Sequence, residues 1–139
     1  MAKAKPFIKW AGGKGQLIEQ LEELLPADFD NWGNVTYIEP FVGGGAMLFY
    51  MLQAHPNITH AVINDINPKL TACYEIIRDF PEQFIASLQE IQDEYYALPD
   101  EETKKQFFLD KRKAFNGELN RLDMSTIFFF LNRTCFNGL

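Results

Sequence analysis

The stretch Tyr37-Ile38-Glu39-Pro40-Phe41-Val42-Gly43-Gly44-Gly45-Ala46 limits the possible folds more than any other part of the chain. It reads as the end of a strand, an acidic residue, a glycine-only turn and the start of an apolar helix. Three consecutive glycines contribute no side chain to a core. They are useful where a backbone turns sharply and a ligand comes close. The order Glu39-x-x-x-Gly43-x-Gly45 suits a nucleoside cofactor that carries a sugar and a short charged chain.

The flanking residues place this turn in a βαβ unit. Residues 35–38 are β-branched and aromatic and predict a strand leading into Glu39. Residues 46–52 are apolar on all sides and predict a helix buried between a sheet and another layer. His60-Ala61-Val62-Ile63-Asn64-Asp65 predicts a second strand ending in a carboxylate. Asn67 and Pro68 then supply an N-cap and a first-turn proline for a helix carrying Leu70, Cys73, Tyr74, Ile76 and Ile77. Parallel pairing and handedness follow from the general rules for such units.

Upstream, Lys5-Pro6-Phe7-Ile8-Lys9-Trp10-Ala11-Gly12-Gly13-Lys14 is a short apolar segment ending in a Gly-Gly turn with a lysine. Leu17, Ile18, Leu21, Leu24 and Leu25 then recur at helical spacing until Pro26 stops the pattern. A Gly-Lys turn at a helix N-terminus is where an anionic group would sit, because free N–H groups and the helix dipole point there. A tight turn with a solvated lysine accounts for the same residues. A Walker-type phosphate loop does not: it needs glycine where Ile8 stands and Ser or Thr where Gly15 stands.

Beyond Asp79 the character changes. Pro81 opens a helix with Phe84, Ile85, Leu88 and Ile91 inward, and an acidic loop surrounds Leu98-Pro99-Asp100. Residues 103–120 carry Phe107, Phe108, Ala114, Phe115 and Leu119, and an apolar stretch over 127–131 follows Ser125 as its cap. No strand signal follows residue 65, and the last residues, Asn137-Gly138-Leu139, read as a turn. The pattern is half a nucleotide-binding sheet followed by a helical cluster.

A chain of 139 residues can form one compact domain with a core and is too short for two large ones. Its net charge of −6 argues against a generic nucleic-acid binder. The distribution is uneven, however: Lys3, Lys5, Lys9 and Lys14 all precede the first acid, Glu19, and Lys111-Arg112-Lys113 is a second basic cluster. Either a locally basic face or ordinary solvated charge explains them. No apolar run approaches the roughly eighteen residues of a membrane span, and no apolar signal core follows the first lysines, so the expected location is cytoplasmic. Cys73 and Cys135 lack CxxC spacing and read as buried free thiols.

The glycine turn can now be matched to a chemistry. A dinucleotide fingerprint would continue to a third glycine, where this chain has Leu48, which disfavours a nucleotide-dependent oxidoreductase. The Glu-x-x-x-Gly-x-Gly form suits S-adenosylmethionine, which has a ribose, a sulfonium and an amino-acid tail but no pyrophosphate. Asp65 lies twenty residues past Gly45, at the end of the next strand, where an acid can accept both ribose hydroxyls. A strand-end aspartate that merely caps a helix is the alternative.

Four blocks carry a resemblance to a known family: Phe7-Ile8-Lys9-Trp10-Ala11-Gly12-Gly13-Lys14, Ile38-Glu39-Pro40-Phe41-Val42-Gly43-Gly44-Gly45, Asn64-Asp65, and Leu131-Asn132-Arg133-x-x-Phe136-Asn137-Gly138-Leu139. In this order and spacing the chain resembles the Dam-type (D12 class) adenine-specific DNA N6-methyltransferases, end to end. The resemblance implies a partial Rossmann-like α/β sheet that binds S-adenosylmethionine over residues 1–72, and the start of a helical target-recognition domain over 73–139. It implies that Trp10 packs on the cofactor, that Lys14 lies near its carboxylate tail, and that Gly12, Gly13, Glu39, Pro40, Phe41, Gly43 and Gly45 line the pocket. Asp65 matches the ribose-binding acid. Arg133, Phe136, Asn137 and Leu139 match positions that meet double-stranded DNA, with an aromatic wedged by the target base and an asparagine on a phosphate.

The departure from the family pattern matters equally. These enzymes carry an Asp-Pro-Pro-Tyr tetrad, and neither it nor Asn-Pro-Pro-Tyr occurs in these residues. The exocyclic amine of adenine is a poor nucleophile because its lone pair is delocalised into the ring. The tetrad holds that amine with hydrogen bonds while its tyrosine stacks on the flipped-out base. No catalytic residue and no metal ligand is therefore assigned. The chain is expected to be the N-terminal portion of such an enzyme, able to hold part of the cofactor but silent in methyl transfer. A non-catalytic cofactor- or DNA-binding module, or one half of a split enzyme whose partner chain brings the tetrad, fits the same residues. Self-association is expected from an uncovered sheet edge and from uncovered apolar faces around Phe128 to Leu131.

Overall fold

The computed structural model describes residues 2–135. The chain packs as two compact units that divide between Ile66 and Asn67, so residues 67–72, grouped above with the first domain, belong to the second unit.

The first unit is a small parallel sheet with a helical crossover. Strand β1 (Val35–Glu39) pairs in parallel with β2 (Ile58–Ile63), with Thr36 opposite His60, Ile38 opposite Val62 and Glu39 opposite Ile63. Helix α1 (Ile18–Glu23), preceded by a 3-10 turn (Lys14–Leu17), comes before the sheet, and α2 (Ala46–Ala54) connects the strands. Period-two alternation turns Val35 and Tyr37 to the side of Phe29, Met47, Met51 and Ile58, which form the buried cluster, while Ile18 and Leu21 of α1, and Leu25 just after it, pack against it. Thr36 and Ile38 face the other way.

Several details differ from the sequence pattern. Leu17 is 47% exposed and Leu24 is 79% exposed, so neither shares the buried face of α1. Leu17 sits in a 3-10 turn, whose tighter winding shifts its direction, and Leu24 lies one residue past the last helical turn. Helix α2 buries Met47, Leu48 and Met51 but leaves Leu52 half-exposed, so it is covered on one face rather than all round. Strand β2 starts at Ile58, two residues before His60, because Ile58 is buried in the core cluster. It ends at Ile63, and Asn64 continues the ladder from a loop: its N–H donates to the Glu39 carbonyl and its carbonyl accepts from Val42, both at 2.9 Å.

The second unit contains α3 (Pro68–Asp79), α4 (Pro81–Tyr96), α5 (Glu101–Phe115) and α6 (Arg121–Thr134). Helix α6 lies against the other three. Phe128, Phe130 and Leu131 are buried, so the apolar faces around them, expected above to be uncovered, are packed inside the helical cluster. Phe130 stands edge-on to Tyr95 and Phe107, with ring centroids 5.3 and 5.5 Å apart. Side-chain caps fix where three of these helices start. Asn67 accepts from the Lys69 and Leu70 N–H groups, Asp100 from Thr103, and Asn120 from Asp123. Ser125 is thus not the cap of the last helix but is buried inside it. Ile85 is 66% exposed, since Phe84, Leu88 and Ile91 already occupy the inward stripe of α4. Cys73 is buried and its thiol is pushed up to about 11 by that burial, and both cysteines are free. Among the described residues no strand follows Ile63, and no helix is long and apolar enough to cross a membrane.

Truncating Leu131 to alanine should cost about 3 kcal/mol, read as a lower urea midpoint in far-ultraviolet circular dichroism; a shift worth less than about 1 kcal/mol would contradict the packing described. The Asp100 carboxylate is held below its ordinary range, first by the Thr103 N–H and then by the Thr103 hydroxyl. A depressed folded value means that its contribution is present above the ordinary carboxylate pKa and is lost as pH falls through the folded one. Asp100→Asn should therefore flatten the acid limb of thermal stability below about pH 4; an unchanged limb would assign it to other carboxylates.

Candidate functional site

The C-terminal ends of β1 and β2 set the site. A parallel βαβ unit leaves a crevice where the chain departs from the strand ends, and here that departure is the glycine turn. Gly43 and Gly45 have φ values of +53° and +83°, in the left-handed region, and Gly45 is the N-cap of α2. The Gly43 N–H donates to Asp65 Oδ2 at 3.0 Å, joining the turn after β1 to the loop after β2. The Gly45 N–H donates to the Val42 carbonyl at 3.0 Å.

The N-terminal segment lies across this turn. A Cβ on Gly43 would stand 3.1 Å from Trp10 Cδ1, and one on Gly44 would stand 3.2 Å from the Ile8 carbonyl oxygen. The glycines are therefore needed for close approach as well as for φ. Lys14 closes the other side. Its Nζ stands 3.3 Å from Glu39 Oε1 and donates to the Phe41 carbonyl. Glu39 is 4% exposed. Its Oε2 accepts from the Tyr37 hydroxyl at 2.9 Å, whereas its buried Oε1 faces Lys14 without a hydrogen bond. Burial raises the Tyr37 phenol well above its ordinary range, and the hydrogen bond to Glu39 and the carboxylate charge raise it further.

Between these groups lies a cleft of about 690 Å³. Of the residues singled out from the sequence, Trp10, Gly12, Gly13, Lys14, Glu39, Phe41, Gly43 and Asp65 all line it. Pro40 is exposed and does not line it, and Gly45 acts from beneath as the cap of α2. Sequence reasoning passed over Ile8 and Met47, which line it too, and Tyr37, which orients Glu39. The signal for Tyr37 was present: residues i and i+2 of a strand share a face. Arg133 belongs to the second unit, where its guanidinium lies 5.3 Å from the Phe129 ring centroid beside a cleft of about 180 Å³ that Tyr95 and Tyr96 also line. Phe136, Asn137 and Leu139 lie outside the described residues. In the basic cluster, Lys111 pairs with Glu94 at 3.7 Å and covers the Phe107 ring. No group of three or more His, Cys, Asp or Glu among the described residues is arranged to hold a metal.

Residues 10–139 match the family model of the D12 class N6 adenine-specific DNA methyltransferases. The chain belongs to that family. It is 44% identical to the type II methyltransferase M.MjaIII of Methanocaldococcus jannaschii, over 99% of this chain and 48% of that protein. It is 32% identical to the type II methyltransferase M1.LlaDCHI of Lactococcus lactis, over 97% of this chain and 43% of that protein. It is 34% identical to the DNA adenine methylase of Haemophilus influenzae, over 99% of this chain and 43% of that protein. The chain thus spans a little under half the length of these relatives. The D12-class match runs through both units, so it covers the cleft and the helical cluster alike.

Gly43→Ala tests the turn. A side chain there is forced into the left-handed region and into the Trp10 ring, so the variant should lose about 1–2 kcal/mol of stability, with a change in tryptophan emission. Parent-like unfolding and emission would show that the turn tolerates a Cβ.

Proposed function

We propose that this chain forms the methyl-donor half of an adenine-specific DNA methyltransferase, with S-adenosylmethionine bound in the cleft of the first unit and double-stranded DNA as the substrate of the whole enzyme. The observation that carries this most is the Gly43–Asp65 hydrogen bond. It commits the amide of the glycine turn to a carboxylate, and the Gly45 amide is committed to Val42. A pyrophosphate would need such amides as donors and would meet two carboxylates, Glu39 and Asp65. Leu48, buried beneath the turn, also occupies the place of the third dinucleotide glycine.

The lining suits a neutral-to-cationic nucleoside with a zwitterionic tail. Trp10 and Phe41 present aromatic surface, which favours a purine or a sulfonium cation. Lys14 would take the carboxylate of the amino-acid tail, and Glu39, with a buried oxygen that accepts no hydrogen bond, would take its ammonium. Asp65 would hold the ribose hydroxyls, since a carboxylate oxygen accepts more than one hydrogen bond. When bound, the cofactor supplies an electrophilic methyl group on sulfur. This chain's residues would orient that group. They include no Asp-Pro-Pro-Tyr to hold the adenine amine, so the proposed division of labour leaves base capture to polypeptide bearing that tetrad. Arg133, Phe136, Asn137 and Leu139 are proposed to meet DNA, on the strength of the family resemblance. On the outer sheet face, Ile38 and Val62 are register partners and are 65% and 54% exposed. Such a surface draws protein onto itself, and the isolated chain is proposed to self-associate.

Calorimetry should detect one S-adenosylhomocysteine per 139-residue chain and no NAD. Asp65→Ala should weaken binding by about tenfold or more; NAD binding, or S-adenosylhomocysteine affinity indifferent to Asp65, would contradict the assignment. Labelled methyl donor with adenine-containing duplex DNA should give no incorporation by the chain alone, and incorporation would refute the proposed division of labour.

A further inference from the structure

The wall of the cleft nearest Trp10 has no secondary structure to hold it. Residues 2–13 form no helix or strand, so no ladder of backbone hydrogen bonds fixes their position. Yet this segment covers the glycine turn closely: Ile8 is buried, and Pro6, Ile8 and Trp10 are the groups that a Cβ on Gly44 would meet. Its far end is fastened by Lys14 to Glu39 and the Phe41 carbonyl. Its near end is held from outside the cleft by Gln53. Gln53, in the last turn of α2, accepts from the Ala4 N–H at 2.9 Å through Oε1 and donates to the Ala4 carbonyl at 3.0 Å through Nε2. Gln53 Nε2 also donates to the Phe49 carbonyl one turn back, which fixes the direction of its amide. Phe7 adds an edge-on contact to Phe49, with ring centroids 6.4 Å apart.

A primary amide matches the donor–acceptor pair of a single residue, so Gln53 reads Ala4 as a neighbouring strand would. Only glutamine and asparagine carry a primary amide, with a donor and an acceptor side by side on one carbon, and asparagine is one methylene shorter. We propose that Gln53 is a positioning residue for the methyl-donor cleft: it pins residues 4–6 to α2, and so keeps Trp10 seated on Gly43 before the cofactor arrives. This rests on the cofactor function proposed above. The physical effect is preorganisation. If the strap is seated only part of the time, the apparent affinity falls by that fraction.

The test uses the full 139-residue chain in a Trp32→Phe background, where Trp10 is the only indole. Gln53→Ala should weaken S-adenosylhomocysteine binding by roughly tenfold, as expected for losing two exposed hydrogen bonds, and lower the fluorescence anisotropy of Trp10. Alanine is the best helix former, so α2 itself should not be weakened. Ala4→Pro removes the N–H from the other side of the clamp. The double variant should bind no worse than Gln53→Ala alone, because both act on one contact. Parent-like affinity in Gln53→Ala, or additive losses in the double variant, would overturn the proposal. Absence of S-adenosylhomocysteine binding in the parent would instead remove the cofactor function. The clamp would then stand or fall on whether Gln53→Ala lowers the Trp10 anisotropy.

Discussion

The hydrogen bond from the Gly43 amide to the Asp65 carboxylate is the point on which the first unit depends. It spans the ends of two parallel strands and fixes the glycine turn relative to the loop after β2. With the turn fixed, Gly45 can adopt its left-handed conformation and start α2, and α2 can place Met47 and Met51 against β1. The same bond decides which ligands the turn can receive. An amide already paired with a carboxylate does not serve a phosphate, and the acid beside it favours groups that donate hydrogen bonds.

The cleft combines rigid and loosely held walls. The floor consists of strand ends and a helix cap, whose backbone groups are tied into the ladder through Asn64, Glu39 and Val42. The opposite wall is an irregular segment attached through side chains, Lys14 at one end and Gln53 at the other. A segment without a backbone ladder opens at lower cost than one built into a sheet. A site built this way keeps its specificity in the floor and its access in the strap. Glu39 serves both, since its carboxylate lies in the strand end and pairs with the strap's lysine.

Much of this was legible in the sequence because it depended on backbone chemistry. The glycine turn, the Asn67-Pro68 helix start and the two strands all carry local signals that packing did not override. Elements whose outcome depended on phase were harder to read. Leu17 and Leu24 fit the periodicity of α1, but a 3-10 turn and an early helix end move them off its buried face. Ser125 resembled a cap because it precedes an apolar run, yet Asn120 starts the helix earlier, and an apolar run marks the buried part of a helix rather than its beginning. Gln53 carried no signal at all. A glutamine on an exposed helix turn is ordinary until its partner, Ala4, is brought to it from 49 residues away. The family resemblance supplied what single residues could not: it joined Trp10, Lys14, Glu39 and Asp65, which the fold then brings to one cleft.

The central claim is that the cleft at the strand ends receives a methyl-donor nucleoside. It is tested most directly by amide and indole nuclear magnetic resonance of the 139-residue chain during titration with S-adenosylhomocysteine. The account predicts shifts centred on the Trp10 indole N–H, the amides of Gly12, Gly43 and Gly44, and Asp65, with little change in the helices of the second unit. Shifts confined to that second unit, or none at saturating ligand, would contradict it.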